Sequence, residues 1–264
     1  MKLKIYQVDA FSPHVFRGNP AAVCILDEWL DADLMQRVAN ENNLSETAFA
    51  VPVDDRFEIR WFTPEVEVDL CGHATLATAH VLFQHLGYPS GRVEFESLFS
   101  GRLAVERSDD LLTLDFPVDR LEEMVVPEII VTALRRAPLK AFKGKSDFLF
   151  IYASQGEIED LVPDFGLLAQ LGGRGVIVTS MGNEVDFVSR FFAPQTGINE
   201  DPVTGSAHTT LTPYWSRILG KKKMTARQLS SRGGELVCEI RDDRVRISGN
   251  AVTYLVGEIT IPRP

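Results

Sequence analysis

The chain has 264 residues, 45% hydrophobic and 24% charged, a globular composition long enough for one large domain or two small ones. Its formal net charge is -10, and the one dense basic run, Lys221-Lys222-Lys223, reads as a solvated helix end, so a nucleic-acid surface is excluded and anionic membranes are not favoured. No stretch has the apolar length to cross a bilayer, the N-terminus lacks the pattern of a signal peptide, and Cys24, Cys71 and Cys238 are too widely spaced for a disulfide framework or a structural zinc motif, which fits a reducing, cytoplasmic setting.

In chain order, residues 3–11 and 21–26 read as strands. Asp31 opens a helix running to about Asn42, with Leu34, Met35 and Val38 on its inner stripe and Asp31 and Asp33 at the end where carboxylates are favoured. Strand patterns follow at 57–62, 93–97, 103–107 and 111–116, the last two forming a hairpin through Asp109-Asp110. Residues 74–86 make a helix with almost no polar face, and a helix apolar nearly all round is buried. The acidic, aperiodic stretch 117–127 is the best domain boundary, dividing the chain into halves 1–118 and 119–264. The second half predicts strands at 148–153, 175–180, 185–192, 235–240 and 244–248, and a helix within 159–171 despite Pro163 and Gly166. A helix from Ala207 to about Leu219 should bend at Pro213, which lacks an N–H. Residues 254–261 form a last strand that can pair within the second half or cross back to the first.

One pattern occurs twice. Arg60-Trp61-Phe62-Thr63-Pro64 precedes Cys71-Gly72-His73-Ala74, and Arg190-Phe191-Phe192-Ala193-Pro194 precedes Asp201-Pro202-Val203-Thr204-Gly205-Ser206-Ala207. Each copy reads as strand, turn, glycine and helix. The architecture predicted is α+β: two pseudo-symmetric halves, each a strongly curved mixed sheet wrapped around a central helix. A doubly wound parallel sheet fits poorly, because long helices do not alternate with strands.

The glycine steps carry the chemistry. Gly72 lets the backbone turn tightly, and the first-turn N–H groups behind it can receive a carboxylate or a developing enolate. His73 there can donate to a ligand or move a proton near neutral pH, or be a satisfied structural histidine. His80 and His85 read as packing or surface residues. Gly205-Ser206 stands in the matching place, where Ser206 can cap the helix, bind a ligand oxygen, or both. Asp201 can project into the same pocket, brace the turn or cap a helix, and Glu200 beside it leaves the choice open. Glu46, between a helical pattern and an apolar stretch, suits general acid–base work if it is buried. Asn19, in the turn Arg17-Gly18-Asn19-Pro20, can reach a ligand. There is no dinucleotide fingerprint or P-loop, Ser206 and His208 do not face each other as a nucleophilic pair, and the histidines with their acidic neighbours supply no clear trio of metal ligands.

Taken together, Asp9-Ala10-Phe11, Phe16-Arg17-Gly18-Asn19-Pro20-Ala21-Ala22-Val23, Asn43-Leu44-Ser45-Glu46-Thr47-Ala48-Phe49, Cys71-Gly72-His73-Ala74-Thr75 and Glu200-Asp201-Pro202-Val203-Thr204-Gly205-Ser206-Ala207-His208 resemble, in order and spacing, the phenazine-biosynthesis PhzF-like isomerase family of the diaminopimelate-epimerase fold superfamily. The resemblance implies two similar halves with an active cleft between them, isomerisation without cofactor or metal, a small anionic or zwitterionic substrate, and a homodimer. It assigns the proton shuttle to Glu46, with His73, Asp201 and Ser206 as further catalytic residues; Asn19, Gly72 and Gly205, read from the turn and the glycine steps, are expected against the substrate. The related epimerases use two cysteines. Cys71 matches the first, but the second place falls at Pro202, which disfavours a two-cysteine racemase. The motif Cys-Gly-His-Ala-Thr departs from the dedicated phenazine enzyme, so that enzyme's substrate is not carried over. The rival expectations are a racemase, epimerase or tautomerase of a small acid, and a non-enzymatic binding or scaffold protein that keeps the pocket.

Overall fold

The structure, a computed structural model, describes residues 1–261. The chain divides into one unit made of Met1–Asp115 and Ser248–Pro264 and a second made of Phe116–Ile247. In the first, β1 (Lys2–Ala10), β2 (Asn19–Ile25), α1 (Ala32–Asn42), β3 (Glu46–Val53), β4 (Arg56–Phe62), the short β5 (Glu67–Val68), α2 (Gly72–His85), β6 (Arg92–Ser97), β7 (Gly101–Ser108) and β8 (Leu111–Pro117) follow in order. The second runs through β9 (Glu122–Met124), α3 (Glu128–Leu134), β10 (Lys140–Lys143), β11 (Asp147–Ile151), α4 (Gln155–Glu159), α5 (Phe165–Leu168), β12 (Gly175–Met181), β13 (Phe187–Phe192), α6 (Ala207–Leu219), β14 (Lys223–Gln228), β15 (Gly234–Arg241) and β16 (Arg244–Gly249). The last strand, β17 (Ala251–Thr260), lies antiparallel along β1 from Lys2↔Thr260 to Ala10↔Ala251, with a bulge at Gln7/Val8.

Two parallel pairings define each unit. β2 runs parallel to β3, and β4 to β6, while β3 and β4 are antiparallel. The second unit repeats this with β11 parallel to β12, β13 to β14, and β12 antiparallel to β13. The α+β class and the pseudo-symmetric halves are therefore present. The strongly curved wrap expected of each sheet is not. In the first unit the ladder runs β17-β1-β2-β3-β4-β6-β7-β8, in the second β9-β10-β11-β12-β13-β14-β15-β16, and among the described residues the end strands of neither ladder pair with each other. These are open sheets rather than curled ones. An all-round apolar helix signals burial without saying what shape of sheet buries it.

The period-2 alternation of the strands supplies two packing faces. In the first unit Ala22, Cys24 and Phe49 meet Leu34, Met35, Val38 and Ala39 of α1. The alternate residues Ala21 and Val23 are fully buried on the other face, where α2 packs against β1, β2 and β3. The second unit sets Phe148, Phe150, Val176 and Val178 against Ile130, Ala133 and Leu134 of α3, Ile158 of α4 and Leu168 of α5. On its other face Trp215 of α6 stacks on Phe187, with ring centroids 5.9 Å apart, and donates to Thr179 Oγ1 at 3.0 Å. α1 starts where the sequence places it, with the Asp31 side chain accepting from Asp33 N, and α6 stays continuous through Pro213. The helix expected within 159–171 is the short α5 continued by a 3₁₀ turn, while α4 ends at the start of that span; α4 and α5 are opened at Ser154 and Asp164, whose side chains accept first-turn N–H groups. Among the described residues, no helix is long and apolar enough to cross a membrane.

Candidate active site

Asn19 and Glu46 are the first residues of neighbouring parallel strands, with Ala21 level with Glu46 in the β2–β3 register. That pairing brings together two residues far apart in sequence. Gly18 sets the first of them. It has φ +68°, and a Cβ there would stand 2.1 Å from the Ala10 carbonyl oxygen, so only glycine makes this turn. The start of α2 supplies the third residue, His73.

The three side chains meet. His73 Nε2 lies 3.0 Å from Glu46 Oε2, and both side chains are nearly buried, at 6% and 12% exposure. Neither atom has a hydrogen-bond partner, so the approach is electrostatic and lacks the alignment of a formed bond. Asn19 Nδ2 is 3.1 Å from His73 Nδ1, and in this amide orientation Nδ1 accepts and the ring proton sits on Nε2, beside Glu46 but out of line with its oxygen. Cys71 Sγ is 3.5 Å from the same Nδ1. Burial by itself lowers the pKa of His73; the Cys71 sulfur and the Glu46 carboxylate outweigh it and hold the ring well above its usual 6.5. Full protonation requires the Asn19 amide to turn its oxygen toward Nδ1. The Cys71 thiol is pushed up to about 11, through burial and the nearby carboxylate. Glu46, Cys71 and His73 each offer a ligand atom within 4.8 Å of the others, a trio that sequence spacing does not reveal. Cys71 occupies the N-cap of α2 without a side-chain capping bond, so the first-turn N–H groups beginning at Gly72 are not capped by a side chain.

The second unit builds a corresponding place from different chemistry. β11 begins at Asp147, which pairs in parallel register with Gly175, and Arg174 immediately precedes it. Arg174 makes a forked ion pair with buried Asp147, and its Nη2 also donates to Ser206 Oγ at 2.9 Å. Burial acts against this guanidinium, while Asp147, Asp201 and Asp119 raise its pKa. Ser206 is the N-cap residue of α6 but makes no side-chain cap; because Arg174 occupies its acceptor side, its own hydroxyl proton remains available to donate. Asp201 is buried, accepts from Thr204 Oγ1, and is tied through its carbonyl to Gln228 Nε2 at 2.8 Å. Glu200 is engaged elsewhere, in a forked pair with Arg190 whose guanidinium lies 4.9 Å from the Phe192 ring centroid. The same device appears in the other motif copy, where Arg60 forks to Glu67 and covers Phe62. Gly205 is buried, and its carbonyl accepts from His208 N. His208 is fully buried and donates Nδ1–H to the Thr204 carbonyl at 2.9 Å; burial lowers its pKa to about 4. Asp147 and Arg174 are the residues that sequence reasoning missed. The sole signal was Gly172-Gly173-Arg174 ahead of a strand.

Fold and site define a protein of the phenazine biosynthesis-like family: the family profile matches residues 8–257, and the chain belongs to it. Two uncharacterized isomerases of Pseudomonas aeruginosa are each 50% identical to it, over 259 and 261 residues, covering 98% and 99% of this chain and 99% and 100% of theirs. The crystal structure of a phenazine biosynthesis protein of the PhzF family from Enterococcus faecalis is 46% identical, superposes with a TM-score of 0.96, and covers 99% of this chain and 100% of its own.

Proposed function

We infer that the chain is an isomerase that moves a proton within a small unsaturated carboxylic or amino acid, with Glu46 as the group that takes and returns the proton. The observation that carries this reading is the buried approach of Glu46 Oε2 to His73 Nε2 at 3.0 Å, without a formed hydrogen bond, beside the uncapped start of α2. A carboxylate held this way can accept a proton from a carbon next to a carboxyl or conjugated group. His73, with Nε2 beside Glu46, polarises the substrate and supports the carboxyl as it changes charge. The N–H groups at Gly72 and the following residues offset negative charge as it grows on the substrate oxygen. Asn19 and Gly72 complete the binding residues beside Glu46, and the family resemblance gives Asp201, Ser206 and Gly205 of the second unit a substrate-binding part, Ser206 through the hydroxyl proton that Arg174 leaves available. Asn19 acts here on His73 as well as on any ligand.

The substrate class is anionic or zwitterionic and small. We also propose a homodimer, as the family resemblance implies, and a cytoplasmic setting, in keeping with three free, buried thiols. A racemase or epimerase reading loses support at Pro202, where the second cysteine would stand.

The test is a panel of unsaturated amino acids and small carboxylates in deuterated water. Label should enter with movement of the double bond, and Glu46→Gln should slow entry by roughly 10²–10⁴-fold. A folded Glu46→Gln protein with full exchange eliminates Glu46, and label at a single carbon with no bond movement makes the reaction an epimerisation.

A further inference from the structure

We propose that Glu46, Cys71 and His73 form a binding site for a borderline-soft divalent cation, Zn²⁺ or Co²⁺, and that filling it switches the enzyme off. The donor set is a carboxylate oxygen, a sulfur and an imidazole nitrogen, all within 4.8 Å of one another. Three such ligands with a fourth position left to water match the habit of zinc sites. The spacing already fits for the sulfur and one ring nitrogen, while the Glu46 oxygen lies beside the other nitrogen, Nε2. A tetrahedral ion about 2.3 Å from sulfur and 2.0 Å from nitrogen holds those two atoms about 3.5 Å apart. Cys71 Sγ and His73 Nδ1 are 3.5 Å apart already.

A second observation points the same way. Glu46 Oε2 is buried and without a hydrogen-bond partner, although it sits against a histidine ring. A rotamer change that carries this oxygen toward the sulfur completes the trio. Asn19 Nδ2, 3.1 Å from Nδ1, competes with the ion for that nitrogen and has to yield. On binding, a metal–sulfur bond replaces the S–H bond of Cys71, and the thiol proton leaves to solvent; any second proton on the ring leaves from Nδ1. Affinity therefore rises with pH. Nothing is oxidised or reduced.

The binding chemistry stands on these atoms alone. Its consequence, inhibition, rests on the reading of Glu46 and His73 as the proton-transfer pair, because an ion held between them removes both from that work.

Cobalt(II) titrated into the reduced protein tests the proposal. One ion per chain should bind, with a near-ultraviolet sulfur-to-cobalt charge-transfer band and visible bands of tetrahedral intensity. Cys71→Ser should lose the sulfur band and weaken binding by roughly tenfold or more, since loss of even an outer-shell partner costs that much. Asn19→Ala should tighten binding by removing the competitor. Cys238→Ser, altered at a buried thiol elsewhere, should behave as the parent. No sulfur band in the folded parent, a band that survives Cys71→Ser, or weaker binding in Asn19→Ala overturns the site. These readouts do not involve turnover. If cobalt binds as described and Glu46→Gln still exchanges protons at the full rate, the site stands and the reading of Glu46 falls; if exchange is lost but no sulfur band forms, the reverse holds.

Discussion

Acid should loosen the protein through His208. This ring is fully buried at the start of α6, where its Nδ1–H holds the Thr204 carbonyl. Burial lowers its pKa from 6.5 to about 4 in the folded state. In the unfolded chain it titrates near 6.5, so the unfolded state binds the extra proton first. Stability is whole above the unfolded value and is lost as pH falls toward 4. Between pH 7 and pH 5 the difference in proton uptake amounts to about 2 kcal/mol, and it approaches 3 kcal/mol only near the folded value. The assay is urea unfolding of the parent and of His208→Gln at pH 7, 6 and 5. Gln keeps a donor for Thr204 but cannot titrate. His80, also lowered to about 4, and His73, which is raised and therefore contributes stability below 6.5 that fades as pH climbs, are common to both proteins and cancel in the comparison. The variant is less stable at pH 7 if Gln packs poorly, but its stability should fall about 2 kcal/mol less on going to pH 5. Parallel losses in the two proteins refute the assignment.

Gly18→Ala should lower the unfolding midpoint and slow proton exchange together, because the added Cβ meets the Ala10 carbonyl and shifts Asn19. Gly87→Ala, with φ +64° and nothing within 4 Å of the new atom, is the control for backbone strain alone, worth about 1–2 kcal/mol; equal behaviour of the two variants would show that the clash has no weight. Arg174→Lys keeps the charge and loses the fork to Asp147 and Ser206. It should raise KM by roughly tenfold, the worth of one charged hydrogen bond, with a smaller change in kcat. If kinetics hold and only the unfolding midpoint drops, Arg174 is purely structural.

Much of the site's local frame could be read from sequence, and its assembly could not. Gly72-His73 and Gly205-Ser206 announce helix starts because glycine followed by a polar residue and an apolar run has few other readings, and α2 and α6 begin there. The meeting of Glu46 with Asn19 depends on a parallel register between β2 and β3, which no short-range pattern encodes. Only the family resemblance points to it. Ser206 illustrates a different limit. A serine at that position usually caps its helix, but a guanidinium 32 residues away in sequence takes the hydroxyl oxygen instead. The shortness of the helix within 159–171 follows from Pro163, which falls between α4 and α5 and has no N–H to continue a helix. The openness of the sheets lies beyond strand periodicity, since alternation reports which side is covered and is silent on curvature.

The pairing of β17 with β1 has a consequence for how the molecule is made. The first unit contains Asn19, Glu46, Cys71 and His73, all translated early, yet its sheet lacks one neighbour of β1 until residues 251–260 emerge. Phe116–Ile247, contiguous in the chain, can close before that. A chain cut before residue 251 keeps Asn19, Glu46, Cys71 and His73 but moves the sheet's edge from β17 to β1, whose buried residues Val8 and Ala10 then lie on an edge open to pairing with other chains.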